Sequence, residues 1–138
     1  MIRLRPMRPC DRAAVDAMQR DMFPPENGNG LAKLDEGQWW IALDGDRPAG
    51  FCAIKITSDG AGYLSRAGVV KAYRGCGLQK RMIRLRLAWA RRKGLRHVVT
   101  DTTGNPPSAN SLISCGFKLY DPAYPWAWKH TLYWIIHL

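Results

Sequence analysis

The fold of this chain is decided by one stretch of sequence, Gly68-Val69-Val70-Lys71-Ala72-Tyr73-Arg74-Gly75-Cys76-Gly77-Leu78-Gln79. Residues 62–70 lead into it and end in β-branched valines, which predicts a strand. Apolar residues then recur at helical spacing, at Leu78, Met82, Leu85 and Trp89. Gly94 follows where a helix is expected to end. The stretch is therefore predicted to be the turn between a strand and a long helix.

The turn has the composition of an anion-binding helix start. The first N–H groups of a helix have no partner within the helix, and the aligned peptide dipoles place about half a positive charge there. Gly75 and Gly77 lack the Cβ atoms that would keep a bulky anion away, and Arg74 adds a guanidinium beside them. This pattern favours a diphosphate site. A tight turn that needs two glycines for its backbone has the same pattern.

Two common phosphate motifs are excluded, because the stretch lacks the Gly-Lys-Ser/Thr end of a P-loop and has Lys80 where a dinucleotide fingerprint has its third glycine. The stretch instead resembles motif A of the GNAT acyltransferase superfamily, in which an Arg-Gly-x-Gly turn joins a valine-rich strand to a long helix. The resemblance implies acetyl-CoA as co-substrate. It departs from the family at Ala72, where Gln or Arg is common. The cofactor-binding residues that it implies in this stretch are Val69, Val70, Arg74, Gly75, Cys76, Gly77, Leu78 and Gln79.

A second segment, 105–117, resembles the other CoA-binding motif of the family, an asparagine followed by a short helix that ends in Gly-Phe. The resemblance implies that Asn105 and Ser108 contact the cofactor. Asn105 is also a good helix N-cap, and the residues alone leave both roles open. Many GNAT enzymes carry a tyrosine acid in this helix, at the position that is Leu112 here. The proton donor for the leaving thiolate is therefore not identified by the resemblance.

The chain as a whole predicts one α/β domain over residues 1–138, and the resemblance implies the GNAT acyl-CoA N-acyltransferase fold for it. Its sheet is expected to combine an antiparallel N-terminal meander with a parallel central strand pair, and helices are expected on both faces. We expect one of Trp39 and Trp40 in the core and the other beside a cleft, since neighbouring strand residues face opposite ways. The predicted strands are 2–5, 38–43, 47–57, 61–70, 95–101, 118–120 and 131–138, and the predicted helices are 9–22, 78–93 and 106–115.

The charge is strongly basic, with 21 Lys and Arg against 11 Asp and Glu, a formal net charge of +10. A basic surface suits CoA, which is a polyanion, and it suits nucleic acid equally well. No apolar run is long enough to cross a membrane and the N-terminus lacks an apolar signal core, so we expect a cytoplasmic protein.

The four cysteines form no CxxC pair, and no histidine is spaced to complete a zinc site, so no metal is expected. Cys76 stands at a helix start beside Arg74, where a thiolate would be favoured. It could act as a nucleophile. The resemblance favours the plainer role of the variable residue between two glycines.

The resemblance implies an N-acetyltransferase, in which a primary amine attacks acetyl-CoA directly in a ternary complex. Asp101, at the end of a predicted strand, is the first candidate for the base, and the resemblance implies the Val70 backbone N–H as the oxyanion donor. Weaker candidates for the base are Glu26, Glu36 and Tyr133. The alternative is a noncatalytic GNAT-like module that binds acyl-CoA or nucleic acid.

The acceptor is expected to be a small-molecule or peptide amine, bound by a monomer or a homodimer without membrane contact. Trp134 is predicted to be a core residue. The residues leave Trp126 and Trp128 open between the core and an acceptor pocket.

Overall fold

The computed structural model describes residues 1–24 and 30–138, so Glu26, a weaker candidate for the base, lies outside the described residues. The predicted order of elements is confirmed, with bounds that shift by only a few residues. The strands are β1 Ile2–Pro6, β2 Gln38–Asp44, β3 Arg47–Ile56, β4 Gly62–Val69, β5 His97–Thr102, β6 Lys118–Leu119 and β7 Leu132–His137. The helices are α1 Arg12–Met22, α2 Leu78–Arg92 and α3 Pro106–Ser114, with 3₁₀ turns at Pro9–Asp11 and Lys71–Tyr73.

The strands form one mixed sheet in the order β1-β2-β3-β4-β5-β7-β6. β4 and β5 are parallel, with Gly62 opposite Val98 and Tyr63 opposite Val99, because α2 carries the chain back between them. β5 and β7 are antiparallel and place Asp101 opposite Tyr133. The mixed sheet with a parallel pair among antiparallel strands is the predicted fold class. No helix in the described ranges is long and apolar enough to cross a membrane.

Within the single domain that the sequence predicts, the tertiary contacts form two compact units. The first comprises residues 1–55 and 65–78, and the second comprises residues 56–64 and 79–138. β4 contributes its first residues to the second unit and its last residues to the first.

The core of the first unit lies between α1 and the strands β2 and β3, around Val15, Trp39 and Phe51. The expectation that one of Trp39 and Trp40 lines a cleft is wrong, because both are buried. All residues from Trp39 to Leu43 are buried in β2, which shows that both faces of this strand are covered. Trp39 stacks on Phe51 with 6.1 Å between the ring centroids.

A buried amide anchors the segment that follows α1. The Gln19 side chain is fully buried, and it donates to the Ala32 carbonyl at 3.1 Å and accepts from the Ala32 N–H at 2.9 Å. Arg66 donates to the same Gln19 oxygen at 3.0 Å and lies over the Phe23 ring. Because a buried amide without partners is costly, these bonds hold residue 32 in one place.

In the second unit, the buried face of α2 differs from the predicted one. Leu85 and Trp89 are only partly buried. The face of α2 that packs is wider than the predicted stripe and is centred on the positions next to these two residues. Its buried residues are Met82, Ile83, Arg86, Leu87 and Ala90. The Arg86 Nε donates to the Met82 carbonyl at 3.1 Å. The predicted solvated face is confirmed, since Arg81, Arg84, Arg91 and Arg92 are exposed.

Candidate functional site

The turn between β4 and α2 has a backbone that only glycine adopts easily. Gly75 has φ +80° and Gly77 has φ +82°, and a Cβ built on either residue would meet no atom within 4 Å. The glycines are therefore required by the backbone conformation and not by packing. Arg74, Cys76 and both glycines are exposed, so the space in front of the start of α2 is open to a ligand.

The side chains of this turn are tied to its own backbone. The Arg74 Nε donates to the Val69 carbonyl at 3.0 Å, while the two Nη groups bond no residue in the described ranges. The Cys76 thiol donates to the Tyr73 carbonyl at 2.8 Å, which supports the structural role for this residue. The hydrogen bond from Tyr73 to Asp44, at 2.8 Å, raises the pKa of the Tyr73 phenol. The turn thus presents a fixed guanidinium beside the helix start.

The oxyanion role predicted for Val70 conflicts with its hydrogen bonding. The Val70 N–H donates to the Ala49 carbonyl of β3 at 2.8 Å, so it offers no free donor. This bond pairs the residue that follows β4 with β3. An oxyanion could therefore bind to the Val70 N–H only if the bond broke. The predicted antiparallel meander makes strands 47–57 and 61–70 neighbours, but the sequence pattern does not fix the register that brings the Ala49 carbonyl to the Val70 N–H.

In the second unit, three predicted cofactor residues form one hydrogen-bonded chain. The Gln79 Nε2 donates to the Ser108 Oγ at 2.9 Å, and the Ser108 N–H donates to the Asn105 Oδ1 at 3.2 Å. These bonds join the first turn of α2 to the first turn of α3. The cap role of Asn105 is confirmed. The Asn105 side chain is exposed, and its Nδ2 bonds no residue in the described part of the chain, so it can also donate to a ligand.

The position of the family's tyrosine acid is part of the core. Leu112 is 4% exposed, so this position of α3 faces the interior of the second unit. Ser111 beside it is half-buried. Neither side chain can serve as an acid for a thiolate.

Asp101 lies near the carboxyl end of β5 and is surrounded by aromatic side chains. Its Oδ2 accepts two hydrogen bonds, from the Tyr63 hydroxyl at 2.9 Å and from the Trp126 Nε1 at 2.7 Å. Its Oδ1 accepts none from the described residues. Tyr133, directly opposite on β7, accepts a hydrogen bond from the Ala127 N–H at 3.0 Å. Glu36, a weaker candidate for the base, is instead paired with Lys55 in the first unit.

Trp126 and Trp128 are surface residues and not core residues. Trp126 is 44% exposed and Trp128 is 88% exposed, and together with Ala127 and Lys129 they line a shallow surface depression of about 380 Å³ that is largely open to solvent. We call these four residues the aromatic pocket. Trp134 is buried as predicted, and its Nε1 donates to Thr102 at 2.9 Å. The sequence carries a signal for the pocket only in the density of aromatic residues after residue 120.

The open turn at the start of α2, together with the mixed sheet, indicates the class of protein to which the chain belongs. The sequence matches the acetyltransferase (GNAT) family over residues 7–117, and the chain belongs to that family. It is therefore an acyltransferase of a family that uses acetyl-CoA. No curated protein matches the sequence.

Solved structures show the same fold at low sequence identity. An acetyltransferase from Streptococcus agalactiae has a TM-score of 0.78 at 18% identity, covering 99% of this chain and 98% of the other. A GNAT-family acetyltransferase from Staphylococcus aureus has a TM-score of 0.79 at 13% identity, covering 99% of both chains. A Bacillus anthracis protein described as a streptothricin acetyltransferase, solved with acetyl coenzyme A, has a TM-score of 0.65 at 23% identity over 80% of this chain and 70% of its own.

Proposed function

We propose that this protein is an N-acetyltransferase that transfers the acetyl group of acetyl-CoA to a primary amine of a small molecule or peptide. The observation that carries the proposal is the open Arg74–Gly77 turn at the start of the 15-residue helix α2. Such a turn presents unpartnered N–H groups, the positive end of the helix dipole and a guanidinium to the same space. A diphosphate matches this set of groups in charge and shape.

The residues present fit acetyl-CoA in two places. In the first unit, the turn from Arg74 to Gly77 would hold the diphosphate, with the guanidinium held towards it by the bond to Val69. In the second unit, the free amide group of Asn105 would donate to a carbonyl of the pantetheine arm, and the Gln79–Ser108 bond would hold that region in place. Bound acetyl-CoA supplies a thioester whose acyl carbon accepts the amine.

The transfer forms a C–N bond and breaks the C–S bond in a ternary complex. The amine must lose one proton, and the thiolate that leaves must gain one. We propose Asp101 as the base, acting through Oδ1, because the two bonds at Oδ2 hold the carboxylate in one orientation. Since Leu112 cannot act as the acid, the thiolate takes its proton from water, and the hydroxide that remains takes the proton that Asp101 accepted from the amine.

Binding of the co-substrate is tested by thermal unfolding with acetyl-CoA, CoA and dephospho-CoA. A ligand that binds only the folded state stabilises it by about 2.7 kcal/mol at a hundredfold excess over its Kd. We expect a clear rise in Tm with acetyl-CoA. No shift at millimolar acetyl-CoA would contradict the proposed function. Release of free thiol with a panel of amines then tests the transfer itself.

The diphosphate turn is tested by Gly77→Val, with Gly60→Val as the matched control. Both glycines have nearly the same φ, +82° and +84°, and both have open space around a built Cβ. The two variants should therefore lose similar stability through backbone strain. We expect only Gly77→Val to lose the Tm rise caused by acetyl-CoA. An equal rise in both variants would show that the turn does not bind the cofactor.

Nucleic-acid binding, a cytoplasmic location and the choice between monomer and homodimer stay predictions from the sequence.

A further inference from the structure

We propose that the aromatic pocket binds a planar aromatic ring of the acceptor, so that the preferred acceptors are amines that carry such a ring. This inference rests on the proposed transferase function. The class of acceptor is inferred from the side chains of the segment that connects β6 to β7.

The first observation is the exposure of the two tryptophans. Trp128 is 88% exposed and makes no hydrogen bond or ring contact with any other residue in the described ranges. Tryptophan is highly buried on average, and clustered exposed apolar side chains usually mark a binding surface. Two indole rings at positions i and i+2, both lining one open depression, therefore indicate a ligand that covers them.

The second observation is that the side of the pocket formed by Trp126 and Ala127 is held in place before a ligand binds. The Trp126 indole donates to Asp101, and its ring makes edge contacts with Tyr133 at 4.6 Å and Tyr63 at 6.1 Å between centroids. The Ala127 N–H is fixed by the Tyr133 hydroxyl. A surface that is already ordered loses little conformational entropy on binding.

The third observation connects the pocket to the reaction. Trp126 is joined to the proposed base, Asp101, by a single hydrogen bond of 2.7 Å. A ring that stacks in the pocket is therefore close to the carboxylate that would take the proton of the amine. No other exposed aromatic residue has such a bond within the described part of the chain.

The size and charge of the pocket indicate which kind of acceptor it can bind. The depression, of about 380 Å³, is at the small end of ligand sites, and because it is largely open to solvent it can cover one face of a single ring system. Lys129 in its wall and the net charge of +10 oppose a polyamine acceptor. A protein partner would instead need about 800 Å² of surface on each side. An aromatic amine of low positive charge fits these conditions.

The experiment compares phenethylamine with 2-cyclohexylethylamine as acceptors, measured by thiol release. The two amines have the same length and the same ammonium charge, so their KM ratio reports the planar ring and not size or charge. We expect a KM about fivefold lower for phenethylamine, within the range measured for aromatic pairs. Trp128→Ala should abolish this preference, and it should fold because the side chain is exposed.

Tyr124→Ala is the matched control, because Tyr124 is also 88% exposed but does not line the pocket. We expect it to keep the preference of the wild type. Equal KM values for both amines in the wild type would overturn the proposal while leaving acetyl transfer established. Equal loss of the preference for phenethylamine in Trp128→Ala and Tyr124→Ala would do the same.

A binding measurement separates failure of the pocket from failure of the transferase. Line broadening of the phenyl proton resonances of phenethylamine, with wild type and Trp128→Ala in the absence of acetyl-CoA, requires no catalysis. Broadening by the wild type alone would support the pocket even if neither amine were acetylated. Absence of broadening would overturn it. Sedimentation should show one oligomeric state for both proteins, and a dimer that Trp128→Ala dissociates would assign the tryptophans to a subunit interface.

Discussion

At the scale of single residues, the stability of the first unit depends on buried polar groups that have hydrogen-bond partners. Arg5 forms a two-pronged pair with Asp11, at 2.6 and 3.0 Å, and the Arg8 N–H donates to the same carboxylate at 2.7 Å. The hydrogen bond from Arg5 is the largest cause of the lowered pKa of Asp11. Burial of the carboxylate acts in the opposite direction, but the bonds from Arg5 and Arg8 outweigh it and stabilise the charged form in the folded protein.

Asp11→Asn should therefore destabilise the protein by about 1–3 kcal/mol at pH 7. Because the folded pKa lies below the unfolded value, the contribution is present above about pH 4 and is lost as pH falls through the folded pKa. Urea unfolding at pH 7 and pH 3 measures the difference. Asp35→Asn removes an exposed pair with Arg12 and should change stability little. Equal effects of the two variants at pH 7 would contradict this account.

The chemistry of the reaction is also decided by single residues. If Asp101 is the base, Asp101→Asn should lower kcat by about 10²–10⁴-fold, because the amide cannot accept the proton. The amide oxygen can still accept from Trp126 and Tyr63, so the Tm and its rise with acetyl-CoA should remain close to those of the wild type. Tyr63→Phe is the control, because it removes one of the two hydrogen bonds to Asp101 Oδ2 and leaves the carboxylate itself in place. Full activity of Asp101→Asn would exclude the role.

At the scale of elements, the start of α3 combines two roles in one asparagine. Its side-chain oxygen caps the helix, and its exposed amide nitrogen is the proposed donor to acetyl-CoA. The two roles use different atoms, so different substitutions can separate them.

Asn105→Asp keeps an oxygen for the cap and removes the amide donor. We expect its free energy of unfolding to stay near that of the wild type, while its affinity for acetyl-CoA falls by about tenfold. Asn105→Ala should lose about 1 kcal/mol of stability through loss of the cap. Chemical unfolding and titration calorimetry give the two quantities. An unchanged acetyl-CoA affinity in Asn105→Asp would limit Asn105 to capping.

At the scale of the whole molecule, the net charge of +10 has a measurable consequence. CoA is a polyanion, so part of its affinity should come from long-range attraction that salt screens. We expect the Kd of acetyl-CoA to rise when NaCl is raised from about 0.05 to 0.5 M. Dephospho-CoA carries less charge and should respond less. A Kd that does not change with salt would show that the charge has no part in co-substrate binding.

The sequence by itself determined the order of the elements and the turn at the start of α2. Both depend on local patterns, which are the spacing of apolar residues and the two glycines at positive φ. Local spacing did not determine which face of α2 is buried, because Leu85 and Trp89 follow the period as well as Ile83 and Leu87 do. The packing partners decide that choice.

Only the tertiary structure decided the environment of the candidate catalytic and binding groups. The bond between Trp126 and Asp101 joins residues 25 apart in sequence, and that between Gln79 and Ser108 joins residues 29 apart. The loss of Val70 as a free donor likewise depends on a strand pairing with Ala49. These contacts follow from which strands and helices become neighbours, and no local pattern of residue types records the partner. The sequence therefore identifies the family and the glycine turn at the start of α2, whereas tertiary contacts arrange the residues around Asp101.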